Sequence, residues 1–200
     1  MDRRTALLGT IGGAIALCGQ DPPRYEGTLG AALATGDLRD RSRTSLGWSL
    51  AFARLVPRAP MTWRFELGYA GFSRSRTDRP LVVRTPSGTV QTTETVEVTR
   101  NVLALGAHAL WRPGHRPSGI YLGLGAGLGH WYEIQHMADA SINDIQRRTS
   151  HLLASVHGGF DTAPRGPGAI RGVFELRALR GPEFDGRTAT WVGGSAGLRF

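Results

Sequence analysis

The last eleven residues read TWVGGSAGLRF, Thr190 to Phe200. In an extended chain Val192, Gly194, Ala196, Leu198 and Phe200 fall on one side, because strand side chains alternate with period two. Arg199 and small residues fall on the other. An apolar face ending on an aromatic at the final position is the pattern of a strand that closes a barrel against an apolar surround.

Working back from this tail, the chain from Tyr25 onward breaks into further segments of the same kind, eight in all. In YEGTLGAALA, Tyr25, Gly27, Leu29, Ala31 and Leu33 share a face. In LGWSLAF, Leu46, Trp48, Leu50 and Phe52 oppose Gly47, Ser49 and Ala51. In WRFELGY, Trp63, Phe65, Leu67 and Tyr69 oppose Arg64, Glu66 and Gly68. Leu103, Leu105, Ala107, Ala109 and Trp111 then oppose Ala104, Gly106 and His108. YLGLGAGLG sets Leu122, Leu124, Ala126 and Leu128 against four glycines. Leu152, Ala154, Val156, Gly158 and Phe160 oppose Ser155, His157 and Gly159. Ile170, Gly172, Phe174 and Leu176 oppose Arg171, Glu175 and Arg177. Segments of about ten residues suit tilted strands that cross a bilayer.

The connections alternate as well. LVPRAPM, RPGHRPSG and DTAPRGPG follow the second, fourth and sixth segments and are short and rich in Pro, Gly and Arg. TGDLRDRSRT, a long stretch from Ser73, EIQHMADASINDIQRRTS and RGPEFDGRT form the other set, polar and mostly longer. Long loops at one end and tight turns at the other are the arrangement of transmembrane β-barrels. Within the longest link, LVVRTPSGTVQTTETVEV reads as a hairpin turning at Pro86-Ser87-Gly88, so the third and fourth strands are expected to protrude beyond the membrane. The predicted fold is all-β: an eight-stranded antiparallel up-and-down transmembrane barrel over residues 24–200, preceded by a helical signal peptide over residues 1–18.

Composition agrees with that reading and excludes others. The chain has 200 residues, 28 of them Gly, and is 40% hydrophobic. It holds no uninterrupted apolar run of the roughly 18 residues a spanning helix needs. The net charge is +8, and all 24 basic residues are Arg. They sit mainly in turns and loops rather than in one stripe, which speaks against a nucleic-acid surface. The opening MDRRTALLGTIGGAIALCGQ has a short charged start and an apolar core from Ala6 to Leu17, the size of a signal-peptide core. Cleavage is expected near residues 16–20, with Ala14-Ile15-Ala16 as the small-x-small pattern. Cys18 also raises a lipoprotein reading, although Leu17 stands where a small residue is required. The only cysteine lies in this leader, so the mature domain is expected to carry no disulfide.

Alternation alone does not separate the inside of a barrel from its outside, and a soluble lipocalin-like binder would turn the Leu/Trp face inward. Two features favour the membrane orientation: the opposite face is mostly Gly, Ala and Ser with a few charges, and the leader exports the chain. A third is the recurrence of Tyr25, Phe52, Trp63, Trp111, Phe160 and Phe200 on the apolar face at the tight-turn end, which reads as an interfacial aromatic girdle. Trp48, Tyr69, Phe72 and Tyr132 are candidates for a second girdle.

The terminal Phe200 with alternating apolar residues upstream resembles the assembly signal of bacterial outer-membrane proteins. Eight strands with short turns resemble the small OmpA/OmpX-type barrels, over residues 24–200. That resemblance implies residence in the outer membrane of a Gram-negative bacterium and recognition of the C-terminal strand by the barrel assembly machinery. It also implies contact with outer-membrane lipid and lipopolysaccharide, here through Arg39, Arg41, Arg43, Arg74, Arg76, Arg79, Arg147 and Arg148, and a monomeric state. Members of the OmpA type continue into a peptidoglycan-binding domain; the expectation here is a barrel without that tether.

The inward set is Glu26, Arg64, Glu66, His108, Ser155, His157, Arg171, Glu175, Arg177 and Arg199. An eight-stranded barrel is just wide enough for side chains to fill it, and buried charges need partners. The set is therefore read as a lumen charge network. Ser155, His157 and Glu175 also form an inventory for acyl transfer, loosely similar to the residue types of barrel lipid A deacylases and acyltransferases, with Glu175 expected directly across from Ser155 or His157. Against that reading, ASVHGGF matches no catalytic motif, and lumen residues do not readily meet an acyl chain. No cofactor is implied, and the scattered histidines offer no metal spacing. The glycines of GLGAGLG are read as small inward residues that make room for Arg side chains opposite. The expected function is structural or surface-interaction rather than catalytic, with a lipid-modifying enzyme and a lipocalin-like binder as alternatives.

Overall fold

The computed structural model describes residues 24–36, 38, 46–58, 61–113, 118–137, 144–163, 170–182 and 187–200. The expected leader and Arg39, Arg41 and Arg43 lie outside them. Eight antiparallel strands close into one barrel: β1 (Tyr25–Thr35), β2 (Leu46–Arg58), β3 (Met61–Thr85), β4 (Gly88–Trp111), β5 (Gly119–Met137), β6 (Ile145–Asp161), β7 (Arg171–Pro182) and β8 (Thr188–Arg199). Each strand pairs with its neighbours in the chain, and β1 pairs with β8, so every backbone ladder in the wall is satisfied without an open edge.

Alternation decides the two faces. Leu29, Leu50, Leu124, Leu152 and Leu176 are 63, 53, 67, 71 and 69% exposed. Charged residues of the opposite parity, such as Glu26, Arg64, Glu175 and Arg199, are buried. The polarity is inverted relative to a water-soluble barrel: the apolar side faces out on all eight strands. The lipocalin-like alternative required the reverse.

The closure is made by the two chain segments that the opening pattern implicates. The Phe200 carbonyl accepts bonds from the Arg24 and Tyr25 amides at 3.0 and 2.9 Å, and the Phe200 amide donates to the Tyr25 carbonyl at 3.0 Å. The Tyr25 ring lies 6.2 Å from that of Phe200 and 5.9 Å from that of Phe52. Trp63, Trp111 and Phe160 are also exposed on the outer face, where Phe65 and Phe174 join them.

The strands run further than the apolar alternation. β2 continues through Pro57 to Arg58, which pairs with Met61, so most of LVPRAPM is ladder rather than turn. Glu133–Met137 and Ile145–Ser150, expected as loop, pair with β4 and with each other as parts of β5 and β6. Polar residues serve here because these rows rise above the apolar belt. β3 and β4 reach 25 and 24 residues and meet at Thr85↔Gly88, around the expected hairpin turn. Gly88 supplies a φ of 138°, which disfavours a side chain. In this protruding ribbon the Arg76 guanidinium hydrogen-bonds Glu97 at 2.6 Å and holds its carboxyl below the usual carboxylate range.

The register of β3 against β4 shifts between Phe72 and Ser75. A bulge moves the inward parity from even to odd positions. Phe72 precedes the bulge and shares the even, inward parity of Arg64, Glu66 and Ala70, so it is buried inside rather than placed in an outer girdle, which corrects the sequence expectation. Trp48 and Tyr69 do meet on the outer surface, with rings 5.0 Å apart.

Candidate functional site

The lumen is layered. At the turn end, Arg112 donates to Asp161 at 2.9 Å and Arg199 to the same carboxylate at 2.7 Å. Arg199 also bonds Glu26 at 2.6 Å, and Arg64 bonds Glu26 at 3.0 Å. Arg64 reaches Glu175 at 2.7 Å, Arg177 reaches Glu175 at 2.7 Å, and Arg177 grips Glu66 through both guanidinium nitrogens. The sequence of contacts is Arg112, Asp161, Arg199, Glu26, Arg64, Glu175, Arg177, Glu66. Cation and anion alternate without a break, and the ladder is balanced at four arginines and four carboxylates. Members from β1, β3, β6, β7 and β8 supply it, so it ties together non-adjacent walls across the barrel axis.

Neutral groups complete the ladder. The Tyr121 hydroxyl donates to Glu175 at 2.9 Å, and the Arg199 guanidinium lies 4.7 Å from the Tyr121 ring centre. His157 Nδ1 sits 2.7 Å from Arg64 and 3.3 Å from Glu175. The guanidinium leaves that nitrogen to act as acceptor when it bonds Arg64. Ion pairs this buried are poor net stabilisers but strongly destabilising to break one-sidedly, so their main effect is to hold one arrangement of the lumen.

Above the ladder the lumen turns apolar. Phe72, Trp131 and Trp191 are buried with Ala32, Ala70, Val102 and Leu153. Trp191 meets Phe72 at 6.2 Å and Trp131 at 5.4 Å, both edge to face. A cavity of about 80 Å³ separates this aromatic layer from the floor of Glu66, His108, Ser155 and Arg177. Nearer the loop end Arg100 pairs with Glu133 at 2.7 Å, and Gln135 donates to Glu133 at 2.6 Å.

Of the expected inward residues, Glu26, Arg64, Glu66, Glu175, Arg177 and Arg199 meet in the ladder. Arg171 is half-buried at the turn end within the field of Asp161, while Glu175 takes Arg64 and Arg177 as its cations. The catalytic candidates do not assemble in the expected way. Glu175 lies across from Gly159, while His157 pairs with Arg177 and Ser155 with Leu179. The Ser155 hydroxyl is 3.2 Å from Nδ1 of His108, a residue of β4. Glycine's role also differs in its beneficiary. A Cβ on Gly125 would stand 2.0 Å from His108 Nδ1, and one on Gly123 2.5 Å from His157 Nε2. These glycines make room for imidazoles rather than for arginines. Among the described residues no group of three or more His, Cys, Asp or Glu side chains could hold a metal ion.

Sequence reasoning missed Arg112 and Asp161, which sit at strand ends that read as turn, Tyr121, which opens the fifth segment on its glycine face, and the aromatic layer. Parity was the available signal: Trp131 and Trp191 share the inward positions with Gly129 and Gly193.

No family model matches the sequence, and no curated protein matches it. Among solved structures it is similar to Ail, the attachment invasion locus protein of Yersinia pestis, with a TM-score of 0.52 and 13% identity, covering 90% of this chain and 100% of that one. Ail in complex with the heparin analogue sucrose octasulfate gives a TM-score of 0.57 at the same identity and coverage. Neisserial surface protein A gives 0.47 at 15% identity, covering 90% and 96%. The likeness to Ail at this identity is one of fold: the chain has the architecture of the small eight-stranded outer-membrane β-barrels.

Proposed function

We propose that the protein is an integral outer-membrane β-barrel of structural or surface-interaction type, resident in the outer membrane of a Gram-negative bacterium as a monomer. The observation that carries this reading is the pairing of a continuous apolar exterior with a charge-balanced, closed lumen. Such an exterior is stable only in hydrocarbon, and such a lumen conducts nothing of ionic size. The terminal strand, with Phe200 bonded into β1, is the segment offered to the barrel assembly machinery.

The working surface is then the loop end. It carries the β3–β4 ribbon with Arg74 and Arg76, 68 and 78% exposed, and it faces lipopolysaccharide and whatever lies outside the cell. Ail binds a polysulfated heparin analogue, and an arginine-rich loop end suits anionic partners of that kind. We assign the barrel no catalysis: Ser155 is committed to His108 inside the lumen, and Glu175 to two arginines.

Cell fractionation tests this. The protein is expected in the outer membrane, running as a compact species on a denaturing gel unless boiled. Recovery from the soluble periplasm, or mobility indifferent to heating, would overturn it.

A further inference from the structure

The outer surface of β5 and β6 changes character over three successive cross-strand pairs. Leu128 pairs with Leu152, and both are more than half exposed on the apolar belt. The next outward pair toward the loop end is His130 with Ser150, joined at 2.9 Å from imidazole Nδ1 to hydroxyl. The third is Tyr132 with Arg148, whose guanidinium lies 5.0 Å from the Tyr132 ring centre. Successive outward rows are roughly 6.6 Å apart along a strand, so all three fit beneath one lipid molecule.

Among the described residues Arg148 is held by neutral groups. Its NH2 group contacts Gln146 Oε1 at 3.4 Å, and the Tyr132 hydroxyl donates to the same oxygen at 3.2 Å. Among the described residues no carboxylate pairs with Arg148, in contrast to Arg76 and Arg100, which bond Glu97 and Glu133. The cation therefore stands exposed at the edge of the belt, pre-oriented by an aromatic ring, beside an imidazole and a hydroxyl. An oriented guanidinium at that height is complementary to phosphate, which it binds with two parallel donors.

From this juxtaposition we propose that β5 and β6 form an outward-facing site for a phosphate-bearing lipid of the surrounding leaflet. Its phosphate is received by Arg148, with His130 and Ser150 below it, and an acyl chain runs down over Leu128 and Leu152. The apolar row selects a lipid over a free anion, because the phosphate site alone is shallow and open to water. The inference rests on the membrane orientation proposed above.

The test is native mass spectrometry of the refolded full chain in neutral detergent, titrated with bisphosphorylated lipid A, with the same lipid A after phosphatase treatment, and with inorganic phosphate as competitor. Bound lipid A is expected for the wild type, with about tenfold weaker retention in Arg148→Gln, the scale of one charge-assisted hydrogen-bonding group. Arg54→Gln, exposed on the outer face at the opposite, turn end of the barrel where it pairs with Tyr25, is expected to bind as wild type. Equal retention of dephosphorylated lipid A, wild-type binding by Arg148→Gln, or displacement by millimolar inorganic phosphate would each overturn the site. Heat-modifiable mobility of each variant verifies the fold. A soluble periplasmic protein would instead remove the membrane reading itself, so the two failures are distinguishable.

Discussion

Arg64 and Glu175, 111 residues apart in the chain, meet in the centre of the barrel through two hydrogen bonds of 2.7 and 3.2 Å. Arg64 is fully buried and Glu175 nearly so. Their contact is a rung of the alternating ladder, and it joins β3 to β7 across the lumen. Removing the charge at this rung leaves Arg64 and Arg177 facing one carboxylate fewer. Glu175→Gln is expected to destabilise the barrel by about 3–5 kcal/mol, the scale for breaking a buried pair one-sidedly. The urea midpoint in lipid vesicles reads the effect, and an unchanged midpoint would sink the role given to the ladder.

Ser155→Ala removes one neutral hydrogen bond to His108 and is expected to shift stability by only about 1 kcal/mol. The mass profile of lipid A from cells expressing the variant should match that from cells expressing the wild type. A change in lipid A acylation that depends on Ser155 would restore the enzymatic alternative.

Deleting Phe200 removes a backbone acceptor used by Arg24 and Tyr25 and the ring packed beside Tyr25. Assembly yield in the outer membrane is expected to fall markedly, while the protein already assembled keeps its heat-modifiable band. Wild-type yield would show that the closing strand does not depend on its last residue.

Gly125→Ala tests the packing of the floor. The added methyl would overlap the His108 ring and crowd Ser155 Oγ at 2.7 Å. Overpacking of this kind costs about 1–3 kcal/mol. The outward control Gly27→Ala meets nothing within 4 Å and is expected to be silent. Equal midpoints for the two variants would contradict the crowding.

Planar-bilayer recordings should show no stable, large conductance, since the ladder and the aromatic layer both block the axis. Persistent open channels from the purified protein would mean that the lumen rearranges in a bilayer.

Period-two alternation made the barrel, its strand number and its outward face legible before any coordinates. Each strand repeats the same two-sided pattern, and the side facing hydrocarbon tolerates only apolar residues. Phe200, Tyr25 and the turn at Pro86-Ser87 could be read for the same local reason. Strand ends could not. Once a strand rises above the belt its outward residues become polar, and Glu133–Met137 then look like loop in sequence although the ladder continues.

Partner choice inside the lumen belonged to the tertiary structure alone. Parity said that Arg64, Glu66, Glu175 and Arg177 point inward, but not that Arg64 bridges Glu26 and Glu175, nor that Asp161 joins through Arg112 and Arg199. Parity also puts Phe72 inward, with Arg64 and Glu66, but does not say that its ring meets Trp191 edge to face. The reason is geometric. Which way a side chain points depends on its own strand, one residue at a time. What it touches depends on the register between strands and on barrel closure, which bring together residues more than a hundred positions apart.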